Sequence, residues 1–156
     1  MAELATRDRD EAHDIVQDAM WRLADRYATR PSEEWAPLFF RILERRITDW
    51  HRANKRKRSI FGFFKHADDG DEYAEVPDPN AATPEHELVA DETMSELNAV
   101  LANLPLRQQQ VVLLREWQGF DVAQTASVMG CSEGSVKTHY SRAMQRLRSS
   151  LAEQSE

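Results

Sequence analysis

Apolar side chains recur at helical steps along most of this chain. Ala12, Ile15, Val16, Ala19, Leu23 and Tyr27 advance by one, three and four residues and so share one face. That spacing predicts a helix from Asp8 to about Tyr27, with Asp8 or Asp10 at its start, where acids suit the positive helix end. Pro31 disfavours helix at Arg30, and Ser32 is placed to cap the next helix, about Glu33 to Lys57. The first half of that helix is apolar on several sides (Trp35, Leu38, Phe39, Phe40, Ile42, Leu43), which suits the centre of a small bundle. Its second half divides. Phe39, Leu43, Ile47 and Trp50 form one row; Arg41, Arg45, Thr48, Arg52 and Lys55 form another. Ser59-Ile-Phe-Gly-Phe-Phe is too short for a helix of its own, and its aromatics either cap the bundle core or form a docking patch.

The pattern then lapses. From His66 the chain is acidic and carries Pro77, Pro79 and Pro84, with too few large apolar residues to fold alone. Thr83-Pro84-Glu85 reads as a new helix start. Leu88, Val89, Met94, Leu97, Val100, Leu101 and Leu104 give that helix an apolar side. Pro105 opens another helix, about 106–118, with Val111, Val112, Leu114 and Trp117 expected inside and Gly119 just past its end. Asp121 can cap a short helix to Met129, Gly130 closes it, and Ser132 caps the last helix, to about Leu151. The fold class expected is all-α. Two small helical domains, at 1–64 and 84–156, flank an acidic flexible linker at 65–83.

Charge sharpens this division. The net charge of −7 over 156 residues argues against a nucleic-acid partner, but the charge is segregated. Residues 41–58 hold eight basic and two acidic side chains; residues 66–96 hold eleven acidic ones and no Lys or Arg; residues 105–148 hold six basic and three acidic. Two basic blocks flank an acidic tether, a local balance that suits nucleic acid. The tether is either a solvated linker or a counter-charge that folds back on the basic faces.

Asp121 to Arg148 is the most specific segment: a short helix, a tight turn with Gly130, and a longer helix with a polar, basic face. This is the make-up of a helix-turn-helix. Ala126 is small where the two helices cross. Val136, Tyr140, Ala143, Met144 and Leu147 form the inner side of the second helix. Ser135, Lys137, Thr138, His139, Ser141 and Arg142 remain as candidates for its outer part, which in this motif enters the major groove.

Leu104-Pro-Leu-Arg-Gln-Gln-Gln-Val-Val-Leu-Leu through Arg148 resembles region 4 of bacterial RNA polymerase sigma factors of the sigma-70 family, extracytoplasmic-function (ECF) type. Asp10-Glu-Ala-His-Asp-Ile-Val-Gln-Asp-Ala-Met-Trp-Arg-Leu, with Trp35 to Arg58, is similar to region 2. The resemblance implies a transcription initiation factor that binds core RNA polymerase and recognises promoter DNA, with an anti-sigma factor as a further partner. It implies −35 recognition by the helix-turn-helix candidates. It implies −10 contacts from Arg41, Arg45, Arg52, Lys55 and Arg56, and polymerase docking through Asp14, Gln17, Asp18 and Trp21. That face is otherwise a solvated helix side, and Trp50 is either a core residue or a platform for an unpaired base. Family members usually carry a further helix before region 2; Met1 to Leu4 look like its tail, so an apolar strip is expected to be exposed. Arg45 stands where the family often has Asn, Asp121 where Ser is common, and His139 where Arg is common.

Other chemistry finds little footing. Cys131 is the single cysteine, which excludes an internal disulfide and a multi-cysteine zinc site. His13, His51, His66, His86 and His139 show no metal-ligand spacing, and no phosphate loop or nucleophile motif occurs. Neither enzymatic activity nor a cofactor or metal is expected. No apolar run spans a bilayer and the N-terminal residues carry no secretion segment, so a cytoplasmic protein without membrane insertion is expected. Two alternatives stay open: a helix-turn-helix regulator of response-regulator type, and a sigma-like decoy that sequesters an anti-sigma factor without binding DNA.

Overall fold

A computed structural model describes residues 1–61 and 90–154. The linker, the Thr83-Pro84 helix start, Leu88 and Val89 lie outside them. The described residues are helical and contain no strand. In the first half a short helix, α1 (Ala2–Thr6), precedes α2 (Arg9–Tyr27), a single 3-10 turn at Ser32–Glu34, and the long α3 (Trp35–Phe61). In the second half come α4 (Ala90–Ala102) and α5 (Leu106–Val112), which runs into a wide π turn at Leu113–Trp117. The short α6 (Val122–Met129) and the long α7 (Glu133–Gln154) follow.

Asp8 is the cap of α2: its carboxylate accepts the N–H groups of Asp10 at 2.9 Å and Glu11 at 3.0 Å. Ser32 does not cap by its side chain. Instead the 3-10 turn begins after Pro31, and the Trp35 indole N–H donates to the Arg30 carbonyl at 3.0 Å. α3 continues to Phe61, beyond the end expected at Lys57, so Ser59, Ile60 and Phe61 extend a helix. The side chains of residues 58–61 and all of residues 62–64 lie outside the description.

Each half has its own core. Ala2, Ala5, Ala12, Ile15, Ala19, Leu43 and Ile47 form the first, so α1 and α3 cover the strip on α2 that was expected bare. The second gathers Val100, Leu101, Leu104, Val111 to Leu114, Phe120, Ala126, Val128, Met129, Val136, Ala143 and Leu147. Three residues expected inside are not, the first being Trp35 at the start of α3, 40% exposed. Met94 is exposed, and Trp117 is 52% exposed because the π turn rotates it out of the phase a regular helix would give.

The halves also pack on each other, α3 against α6 and α1 against α4. Phe40 meets Phe120 edge-on with ring centroids 5.7 Å apart. Met1, Leu4 and Phe40 touch the second core, and Leu106 touches the first.

Candidate nucleic-acid interface

The helix-turn-helix is built by local chemistry. The Asp121 carboxylate accepts the Gln124 N–H at 2.7 Å, and the Gln124 side chain accepts the Asp121 N–H at 3.0 Å, a capping box. Gly130 ends α6 in the left-handed region at φ +63°. The Cys131 N–H then donates to the Ala126 carbonyl at 3.1 Å, and the Ser132 hydroxyl caps α7 by accepting the Ser135 N–H at 3.1 Å.

Burial of Val136, Ala143 and Leu147 fixes the rotation of α7. Lys137, Thr138, Ser141 and Arg142 are therefore exposed and share one face, while Ser135 and His139 are half-buried. Two hydroxyls are already engaged. Ser135 lies 2.9 Å from the Ser132 hydroxyl, and Thr138 donates to the Gly134 carbonyl at 3.0 Å. Burial, then the nearby Arg107 and Arg142 guanidiniums, hold His139 below the usual histidine range. At neutral pH it presents a neutral ring with one donor and one acceptor. Behind this face, the Tyr140 hydroxyl donates to Glu116 at 2.7 Å, which pushes its pKa up, and Arg115 lies 5.7 Å from the Tyr140 ring centroid.

On α3, Arg41, Arg45, Arg52, Lys55 and Arg56 are all exposed. Arg56 also donates back to the Arg52 carbonyl at 3.3 Å. Trp50 belongs to the core reading: it is half-buried against the first core, and its indole N–H donates to Glu11 at 2.9 Å. On α2, Asp14 and Gln17 are exposed and Trp21 is 71% exposed. Asp18 differs from its neighbours: its carboxylate pairs with Arg22 at 2.8 Å and with Arg46 of α3 at 2.7 Å, so it staples two helices.

Three residues were missed by pattern. Arg46 sits between the apolar and cationic rows of α3, and only the placement of α2 reveals its partner. Glu44 is 4% exposed within the cationic stretch. One of its oxygens accepts from Thr48 at 2.9 Å and from Arg107 at 2.9 Å. Burial pushes its pKa up, against the pull of Thr48, Arg107, Arg45 and Arg52. Arg107 also donates to the Met129 carbonyl at 3.0 Å. Cys131 is half-buried, and burial raises its thiol pKa. Among the described residues no group of His, Cys, Asp or Glu could hold a metal ion. No described helix is long and apolar enough to cross a membrane.

The family profile for sigma-70, region 4, matches residues 94–147. An RNA polymerase sigma-E factor of Streptomyces coelicolor is 31% identical over 142 residues, covering 90% of this chain and 72% of the relative. The ECF RNA polymerase sigma factor SigX of Bacillus subtilis is 26% identical over 145 residues, covering 91% and 71%. Among solved structures, the sigma factor RpoE of Bartonella quintana, crystallised with the anti-sigma factor NepR, shares the fold. Its TM-score is 0.66 at 22% identity, over 97% of this chain and 87% of that one. Residues 1–61 contain no strand, so they are not the α/β domain of a response regulator. With region 4 matched and both halves aligned to such relatives, the chain belongs to the ECF group of sigma-70 RNA polymerase sigma factors.

Proposed function

We propose that this sigma factor holds a promoter with two helices, α7 at the −35 element and α3 at the −10 element, while α2 docks on core RNA polymerase. The observation that carries the reading is the face of α7. Its apolar residues face the core, and Lys137, Thr138, Ser141 and Arg142 stand outward together on a capped helix. Lysine, arginine and hydroxyl groups so placed can read base edges or grip phosphates. His139 and Ser135 flank them as neutral hydrogen-bonding groups.

Arg41, Arg45, Arg52, Lys55 and Arg56 would hold the backbone near −10. Asp14, Gln17 and Trp21, with the paired Asp18, would meet the polymerase: an exposed aromatic among polar groups suits a protein contact. The polymerase supplies the chemistry and this chain the address, in the cytoplasm. An anti-sigma factor is the expected antagonist.

The test is transcription from fragmented genomic DNA by purified core polymerase, with and without this chain, with the start sites mapped. Chain-dependent starts that share two spaced elements are expected. A chain that binds core enzyme yet yields no new starts would overturn the proposal and favour a decoy.

A further inference from the structure

Trp117 belongs to none of the surfaces described above. Its side chain is more than half exposed, and the π turn at Leu113–Trp117 is what turns it outward. Trp35 and Trp50 donate their indole N–H groups to Arg30 and Glu11. Among the described residues the Trp117 N–H has no acceptor. Exposure alone assigns nothing, since single apolar side chains are common on surfaces. Its position does.

Two anchors fix that position. In sequence, Trp117 stands four residues before Asp121, the cap of α6, with Gln118, Gly119 and the buried Phe120 between them. In space, its neighbour Glu116 accepts the Tyr140 hydroxyl at 2.7 Å, which ties the π turn to α7. Lys137 precedes Tyr140 by one helical turn, and Ser141 follows it directly. Trp117 therefore stands on the rim between the start of α6 and the outward face of α7. In a helix-turn-helix the first helix crosses the sugar–phosphate backbone while the second enters the groove. A side chain on that rim meets backbone and not base edges.

The chemistry of the rim fits a phosphate. Its two acids are already engaged, Glu116 by Tyr140 and Asp121 by the Gln124 N–H at 2.7 Å. The Tyr140 hydroxyl feels both Arg115 and Arg148, so around it two guanidiniums outweigh one carboxylate. Arg115 is itself held in place, donating to the Phe120 carbonyl at 3.1 Å. A neutral donor suits such a mixed rim. An indole can give a hydrogen bond to a phosphate oxygen without adding charge, and its ring can lie against the deoxyribose.

We propose that Trp117 is a backbone contact of the −35 complex: its indole N–H donates to one phosphate oxygen beside the element while α7 occupies the groove. The inference rests on the α7 reading above and extends it to a residue that precedes the helix-turn-helix. Phosphates are the same in every sequence, so this contact sets the orientation of α7 and adds affinity without preference.

The test uses the complex of this chain with core polymerase, on a promoter fragment from a mapped start site. Trp117→Phe keeps an aromatic ring and loses the donor; Trp117→Ala loses both. Each should bind the promoter about tenfold more weakly. The factor should be the same when single base pairs of the −35 element are changed, and the slope against salt should stay as it was, because no cation is removed. Ethylation of one phosphate beside the element should weaken the native complex and not the Trp117→Phe complex. Affinity for core enzyme alone should be unchanged. Variants that bind the promoter as tightly as the native chain, or that keep every site of ethylation interference, would overturn the contact. So would a loss of core-enzyme binding, which would give the indole to the polymerase. A native chain without −35 preference in the same titrations would bring down the α7 reading and this contact together; a native chain with that preference and unaffected variants brings down the contact alone.

Discussion

The indole of Trp50 is tied to Glu11 by a 2.9 Å hydrogen bond that joins the cationic helix to the start of α2. An aromatic so held is committed to the fold and is not free to stack on an unpaired base. Trp50→Phe should therefore keep promoter opening close to normal, as followed by permanganate footprinting, while losing the Glu11 bond. Trp50→Ala should lower stability by roughly half of the about 3–5 kcal/mol typical of a fully buried tryptophan, measured by urea unfolding. A severe opening defect in a stably folded Trp50→Phe variant would reverse the assignment.

Replacing Lys137 or Arg142 by Ala should weaken binding to the −35 element. A lost base contact should cost about 1–3 kcal/mol and relax preference at one position; a lost phosphate contact should weaken all sequences alike and lower the salt slope by about one. Titrations at several salt concentrations, with matched and mutated duplexes, separate the two. Unchanged affinity in both variants would remove α7 as the reader.

Glu44 predicts a pH dependence of definite sign. Burial raises its pKa in the folded chain above the ordinary glutamate value of 4.5, so the folded state binds the proton more readily than the unfolded one. Its contribution to stability is then complete below that ordinary value and is lost as pH rises through the raised one. Relative to Glu44→Gln, the native protein should lose melting temperature as pH climbs from about 4.5 toward neutrality. A difference that stays flat with pH would show that Glu44 titrates normally.

Gln110 is fully buried in α5, and neither polar atom of its side chain has a protein partner. An unpaired buried amide costs about 1–3 kcal/mol. Gln110→Leu or Gln110→Met should therefore stabilise the second half, seen as a higher urea midpoint with unchanged slope. A destabilised pair of variants would show that this amide has a structural role.

Local chemistry was legible in the sequence where the chain carries its own punctuation. Asp8, Asp121, Gly119, Gly130 and Ser132 act within four residues of themselves, so their roles follow from spacing. The rotation of α7 was legible for the same reason, since Val136, Ala143 and Leu147 recur at helical steps. Trp117 was not, because a π turn changes the helical phase with no distinctive residue type to announce it. Asp18 read as an open acidic face because its second partner, Arg46, lies on another helix. The Glu44–Arg107 pair joins residues 63 apart across the linker, and no periodicity carries such information.

That π turn has a consequence of its own. The Gln118 N–H reaches back five residues to the Leu113 carbonyl, where an α-helix would reach four. The widened coil accommodates one surplus residue, a phase slip of about 100°, and Gly119 ends the segment before the slip can propagate. An indole that would otherwise anchor the interior is thereby presented as a surface knob. Excising a single residue between 113 and 117 should swing the indole by the same angle and turn a protruding tryptophan into an interior one.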